Sequence, residues 1–225
     1  MKNILLIGLL LILFASCKKA IPTSINYGYD YFPTQVGLYK IFDVVDVFHD
    51  VALDPQHDTS IYQIKEVIFE NLIDNEGDTI QRIKRYYRES DTLDWVIKDI
   101  WTQKRTATTA EVVEENDRFI KMVFAIAYDR VWNGNALNNE VALDYYYENI
   151  YEPYTIPGFE FESTVQVEKE NFTSFIDYRR QYDVYAKDIG RVKSVYKILE
   201  IDNFDTLDIQ KGPEITYTLV NFGYQ

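Results

Sequence analysis

Tyr182-Asp183-Val184-Tyr185-Ala186-Lys187, then Asp188-Ile189-Gly190, then Arg191-Val192-Lys193-Ser194-Val195-Tyr196-Lys197-Ile198-Leu199 is the stretch that decides the fold. Two runs rich in β-branched and aromatic residues flank three residues that end in glycine. Gly190 can take the left-handed backbone that closes a three-residue hairpin with a bulge, so the stretch predicts two antiparallel strands. Asn75-Glu76-Gly77-Asp78 gives the same signal between residues 61–73 and 79–88. Close to the C-terminus, Ile215, Tyr217 and Leu219 alternate with Glu214, Thr216 and Thr218, which is a strand with one apolar and one wet face.

Outward from these hairpins, no segment keeps a helical period over three turns, and turn signals recur at short intervals. Further strands are predicted at residues 37–47, 94–103, 119–127, 145–154 and 160–169. Trp132-Asn133-Gly134-Asn135-Ala136-Leu137-Asn138-Asn139 is the strongest break, because asparagine and glycine favour turns and left-handed conformations. A short helix over residues 139–146 is expected to follow it. The fold class is mostly β: an antiparallel, strongly curved sheet or open barrel-like sandwich with few short helices. A globular domain is expected over residues 31–225, with comparable halves at 31–131 and 132–225 and no convincing repeat.

The N-terminus carries a different message. Lys2 precedes an apolar run from Ile4 to Phe14 that stops at Phe14-Ala15-Ser16-Cys17. The run is about half the ~20 residues that span a bilayer, and it ends in small residues, so it reads as a cleaved signal over residues 1–16. The pattern at Cys17 resembles the bacterial lipobox. That resemblance implies diacylglyceryl transfer to the Cys17 thiol, cleavage just before it, and a protein held to a membrane by lipid. Residues 17–30, broken by Pro22 and Gly28, read as a lipidated tether. Lys18 and Lys19 follow the cysteine where such lipoproteins carry sorting information, and no acidic run is present. The resemblance implies the outer membrane, facing the periplasm, with the cell surface as the second placement.

Cleavage removes Lys2 and leaves 22 basic against 36 acidic residues, so nucleic acid is not an expected partner. The single cysteine, once lipidated, leaves none for a disulfide or thiolate chemistry. Stability must come from packing, for which 19 tyrosines and 13 phenylalanines provide the area.

Phe32-Pro33 with Val36-Gly37-Leu38-Tyr39, the Trp132-Asn133-Gly134-Asn135-Ala136 loop, Tyr185-Ala186-Lys187-Asp188-Ile189-Gly190-Arg191-Val192 and Tyr217-Thr218-Leu219 together resemble a family of uncharacterised Bacteroidetes-type lipoproteins. Where relatives often have a tryptophan after the Gly-x pair, this chain has Tyr39. The resemblance covers nearly the whole mature chain and implies a compartment, with no activity attached.

Chemistry is sparse. His49 and His57 bracket Asp50 and Asp54, a set that two imidazoles and a carboxylate could turn to metal binding. A polar loop explains both histidines, and no metal site is assigned. Glu114-Glu115 and Asp43 with Asp46 are carboxylate pairs of the kind any acidic chain yields, and no phosphate loop, elbow serine or zinc-protease motif occurs. No catalytic residue and no cofactor is expected, so the chain is not read as an enzyme. Asp78-Thr79-Ile80, Asp91-Thr92-Leu93 and Asp205-Thr206-Leu207 resemble the O-glycosylation sequon of Bacteroidetes-type secreted proteins, which makes Thr79, Thr92 and Thr206 candidate glycan sites; each triplet is equally a turn opening.

Two function classes remain. One is a membrane-anchored, non-catalytic ligand-binding module that takes an apolar small molecule on an aromatic sheet face. The other is a structural lipoprotein that docks an envelope protein through exposed tyrosines. Tyr145-Tyr146-Tyr147, Tyr151 and Tyr154 are the residues to follow, and a core-filling role explains them equally.

Overall fold

The computed structural model describes residues 26–225. The signal, Cys17, Lys18, Lys19 and most of the tether lie outside the described residues. Twelve strands follow one another along the chain: β1 Leu38–Asp50, β2 His57–Ile73, β3 Thr79–Arg88, β4 Val96–Arg105, β5 Thr109–Glu114, β6 Asp117–Val123, β7 Val131–Asn133, β8 Asp144–Ile156, β9 Phe159–Thr173, β10 Asp177–Ala186, β11 Gly190–Asp202 and β12 Asp205–Tyr224. They form one antiparallel sheet in the order β6-β5-β4-β3-β2-β1-β12-β11-β10-β9-β8-β7. Each half is a meander, and the first and last strands join the halves. β1 pairs with β12 from Leu38↔Tyr224 to Asp50↔Lys211.

The sheet curls until its edges nearly meet. Ile120 N–H, on edge strand β6, donates to the Gly134 carbonyl just after β7, at 2.9 Å. The Trp132 indole donates to the Ile120 carbonyl at 3.0 Å. The Tyr147 hydroxyl accepts from Val123 N–H at 2.9 Å and donates to the Val123 carbonyl at 2.6 Å. A tyrosine in the sheet thus satisfies edge groups that a flat sheet would leave open. The result is a nearly closed barrel, as the alternating strands and short turns predict.

Antiparallel pairing sorts the turns into two ends. Residues 26–37, the C-terminus and the turns at 74–78, 106–108, 157–158 and 187–189 lie at the near end. The turns at 51–56, 89–95, 115–116, 174–176 and 203–204 lie at the far end. A single 3-10 turn, Tyr29–Tyr31, closes the near end. Tyr31 is 1% exposed, its hydroxyl lies 2.6 Å from that of Ser163, and Arg105 Nη1 donates to the Tyr29 and Phe32 carbonyls at 2.9 and 3.0 Å. Folded contacts therefore already begin inside the stretch read as tether.

Two further differences from the sequence reading have local causes. Residues 139–146 hold no helix: the Asn133 side chain accepts from the Asn135 and Leu143 N–H groups, which fixes a loop, and Asp144 already starts β8. The tyrosine run belongs to a strand because Tyr145 and Tyr147 point into the core, 5% and 1% exposed, a packing that aromatic residues favour on a pleated surface. Strands β5 and β7 also escape the pattern. Six and three residues long, they are too short to show an alternation that stands out.

The two best-marked turns form as expected, with Gly77 at φ 88° and Gly190 at φ 84°. Gly212 is a different case: its φ is 124°, and a Cβ there would overlap the Ile198 carbonyl oxygen of β11. Gly77 has the same sign of φ but open space around it. Gly212→Ala is expected to cost at least about 2 kcal/mol, and Gly77→Ala about 1 kcal/mol. Urea unfolding of both variants checks this; equal losses would mean that β12 does not press on β11 as described.

Candidate functional site

Several inward positions that the strand pattern assigns to apolar residues hold charges. On β1, Lys40 lies between Leu38 and Phe42; on β2, Glu66 lies between Ile64 and Ile68; on β3, Arg85 follows Ile83. Lys121 of β6, Lys169 of β9, Asp183 of β10 and Arg191 of β11 point to the same interior. Arg191 reaches Glu66 at 2.7 Å, with Lys40 and Arg85 each 3.5 Å from the same carboxylate. Arg85 also holds Asp99 at 2.9 Å and lies 3.6 Å from the centre of the Trp101 ring. Lys169 holds Asp183 at 2.7 Å, and Lys121 holds Glu114 at 2.9 Å. Beside them is a space of about 50 Å³, walled by Lys40, Glu66, Glu114, Lys121, Asp183 and Arg191 together with Leu38, Ile68, Trp101 and Tyr185. A space of that size suits a few waters and falls far below the ~300 Å³ at which small-molecule pockets begin.

The electrostatics follow from burial set against pairing. Burial alone would raise the Glu66 carboxyl, but Arg191, Lys40 and Arg85 outweigh it and hold the group down at about 2. Burial likewise opposes Asp183, and Lys169, Arg191 and Lys121 hold its carboxyl well below the ordinary range. Burial pushes the Lys40 ammonium down, against the pull of Glu66. Burial and the Asp183 carboxylate both push the Tyr185 hydroxyl far above its usual value. Asp183 Oδ1 and Arg85 Nε, both buried, have no hydrogen-bond partner among the described residues, the Glu66 contact of Arg85 Nε being an ion pair alone. The cluster is a rigid, ionised filling, with every carboxylate locked to a cation. Neither Glu66 nor Asp183 is raised toward neutrality, as a general acid would need.

The residues singled out in the sequence fall elsewhere. Thr79 and Thr92 are exposed and Thr206 is half-buried, each at or next to a hairpin turn. Cys17 lies outside the described residues. His49 and His57 are cross-strand partners whose Nδ1 atoms lie 2.9 Å apart. Asp50 turns instead to Lys211 at 3.1 Å, and Asp54 sits in the exposed turn between β1 and β2, so the proposed pair of imidazoles gains no carboxylate from either. Glu214 stands 3.6 Å from His49 Nε2, on the other side of that ring. Glu114 pairs with Lys121 inside while Glu115 turns out toward the Trp101 indole, so these two do not act together. Asp43 and Asp46 point to opposite faces of β1 and share no partner.

Three acidic groups do converge, at Asp74, Glu76 and Asp78. The Lys104 ammonium sits among them at 2.9, 2.7 and 2.6 Å and supplies the positive charge they require. What the sequence reading missed is the interior cluster, and a signal for it existed: charged residues at inward parity, as in Leu38-x-Lys40-x-Phe42 and Ile64-x-Glu66-x-Ile68.

Arg191→Ala would leave Glu66 and Asp183 without their shared cation and is expected to cost about 3–5 kcal/mol of stability by urea unfolding. The pH dependence has a definite sign. A carboxyl lowered in the folded state contributes stability above its unfolded value, near 4.5 for Glu66, and loses it as pH falls toward its folded value of about 2. Urea midpoints should therefore fall steadily below about pH 5, with Asp183 acting in the same direction. Glu66→Gln should lower stability at neutral pH and flatten that fall; a variant that kept the parental slope would refute the assignment.

Comparison with known proteins gives no family model that matches this chain and no match among curated proteins. Two solved structures are similar. One is a protein from Bacteroides fragilis classed as exported, with a YmcC-like fold: TM-score 0.45, 10% identity, covering 85% of this chain and 98% of that one. The other is a protein from Parabacteroides distasonis classed as a lipoprotein: TM-score 0.42, 11% identity, covering 86% of this chain and 98% of that one.

Proposed function

We propose that this chain is a lipid-anchored envelope lipoprotein, held by Cys17 at the periplasmic face of the outer membrane, that works without catalysis by docking a protein partner. The observation that carries this reading is an apolar crest at the far end of the barrel. Phe175 and Ile176 in the β9–β10 turn lie beside Phe204 in the β11–β12 turn. The Phe175 and Phe204 rings meet edge to face at 5.6 Å, and Phe204 N–H donates to the Phe175 carbonyl at 3.2 Å. Phe204 is 61% exposed and Leu207, just beyond it, 88%. Large apolar side chains grouped on hairpin tips in this way mark an interaction surface.

Tether length argues that the surface meets a protein and not the anchoring bilayer. Residues 17–25 extend at most about 30 Å from the near end. β12, with 20 residues, runs on the order of 60 Å toward the far end. This separation supports a reading in which the crest faces away from the lipid. An apolar-ligand carrier is less well supported, because the cavity beside Glu66, Asp183 and Arg191 is lined by ions and holds only about 50 Å³.

Cys17→Ala should release the protein from membranes into the soluble envelope fraction. With the anchor intact, Phe204→Asp and Leu207→Asp should remove specific crosslinks in the native envelope while leaving the unfolding midpoint within about 0.5 kcal/mol of the parent. Crosslink patterns identical to the parent's would count against docking at this crest.

A further inference from the structure

We propose that the outer face of β10, β11 and β12 is a binding groove for a short acidic oligosaccharide. Along β11, Lys193, Val195 and Lys197 alternate onto this face; Val195 pairs with Tyr182 of β10 and Thr216 of β12, and Lys197 pairs with Arg180 and Glu214. The strands thereby build a depression of about 330 Å³ with Tyr182, Val195 and Thr216 as its floor. It has a cationic pole at each end: Arg180 with Lys197 at one, Lys193 at the other. Tyr178 extends the wall beyond Arg180.

The charges in this groove are only partly spent within the protein. Arg180 contacts the fully buried Glu168 carboxylate and lies 4.5 Å from the centre of the Tyr182 ring, which fixes the guanidinium against the floor. Lys197 pairs with Glu214 at 2.7 Å. Lys193 forms no ion pair or side-chain hydrogen bond among the described residues and lines the groove half-buried. The protein offers this ammonium no carboxylate among the described residues, so its charge is free to meet a ligand. On a chain of net charge −13, such a feature is not explained by solubility.

The chemistry of the walls selects the ligand. The poles lie four residues apart on β11, about 13 Å at ~3.3 Å per residue. Between them are the Tyr182 ring, with Tyr178 just beyond the Arg180 pole, and the Thr216 hydroxyl, and a tyrosine offers a flat apolar face and a polar tip at once. That combination fits sugar rings, whose C–H faces stack and whose hydroxyls seek partners, joined to carboxylates that take charge-assisted hydrogen bonds from Lys193 and Arg180. A long polyanion would be repelled by the acidic remainder of the surface, which restricts the ligand to a short stretch at close range. A lipid headgroup would bring acyl chains, and Val195 is the one aliphatic side chain in the lining.

This groove is separate from the far-end crest, so the two proposals fail independently. The test is titration calorimetry of the full chain in mild detergent with tetragalacturonate, against maltotetraose as the neutral probe. Tetragalacturonate should bind, more weakly as salt rises, and maltotetraose should not. Lys193→Gln should weaken binding roughly tenfold. Tyr182→Phe, which keeps the ring and the packing, should retain most of it. Absence of tetragalacturonate binding, or equal affinity in Lys193→Gln, overturns the proposal. Lys193-dependent binding to phosphatidylglycerol vesicles without tetragalacturonate binding also overturns it, in favour of a membrane-facing role for this surface.

Discussion

Everything in this structure depends on the pairing of the first strand with the last. β1 and β12 come from opposite ends of the described chain, and their ladder runs from Leu38↔Tyr224 to Asp50↔Lys211. Without it, each six-stranded meander would be an open sheet with a long bare edge. Such a contact closes nearly the whole chain as a loop, so it forms against a large entropy cost and only after most of the chain is available. Local hairpins can precede it; the interior cannot. Glu66 on β2 and Arg191 on β11 lie on either side of that central pair, so their ion pair is made only once the ladder is in register.

This gives the buried ions a structural meaning beyond their contribution to stability. A slip of β1 by one residue would turn Lys40 outward and leave Glu66 short of a cation in a low-dielectric interior, at several kcal/mol. An apolar filling would tolerate such a slip better. Charges at fixed inward positions penalise wrong registers more than they favour the right one, and in a sheet with several bulges that penalty is useful. Arg191 is central because its guanidinium, 2.7 Å from Glu66, also lies 5.3 Å and 5.5 Å from the centres of the Phe42 and Tyr217 rings. It joins the ionic and apolar parts of the core.

How much of this was legible in the sequence varies with the range of the interaction. The hairpins at Gly77 and Gly190 were readable because a left-handed turn is a property of a few adjacent residues, and β12 was readable from its own alternation. β5 and β7 were not, since they are held by their neighbours more than by any pattern of their own. The loop at 133–143 was read only in part: its asparagines announced a break, but Asn133 bonding to both Asn135 and Leu143 is what displaces the expected helix. The interior cluster left a trace at inward parity, yet which cation meets which carboxylate depends on β2, β3, β6, β9, β10 and β11 all being in register. The same holds for the outer groove, where Arg180 and Lys197 become neighbours only across a ladder. The readings at Thr79, Thr92 and Thr206 concern exposed or half-exposed turn positions, where a glycan would meet no packed core.

The closed interior also constrains where this protein can act. Aromatic packing and paired ions line the interior that the curled sheet encloses. The near end is closed by Tyr29–Tyr31, with Arg105 donating to the Tyr29 and Phe32 carbonyls and Gln103 to that of Pro33. The two proposed recognition surfaces lie on the outer wall and at the far end, where the pattern of an acidic surface over an apolar core breaks down. A half-buried lysine without a carboxylate on the wall and phenylalanines joined across two turn tips at the far end are local departures from what folding alone requires. If the proposed surfaces bind as argued, strands paired across the sheet would hold both in place beforehand, so neither would have to be ordered at the moment of binding.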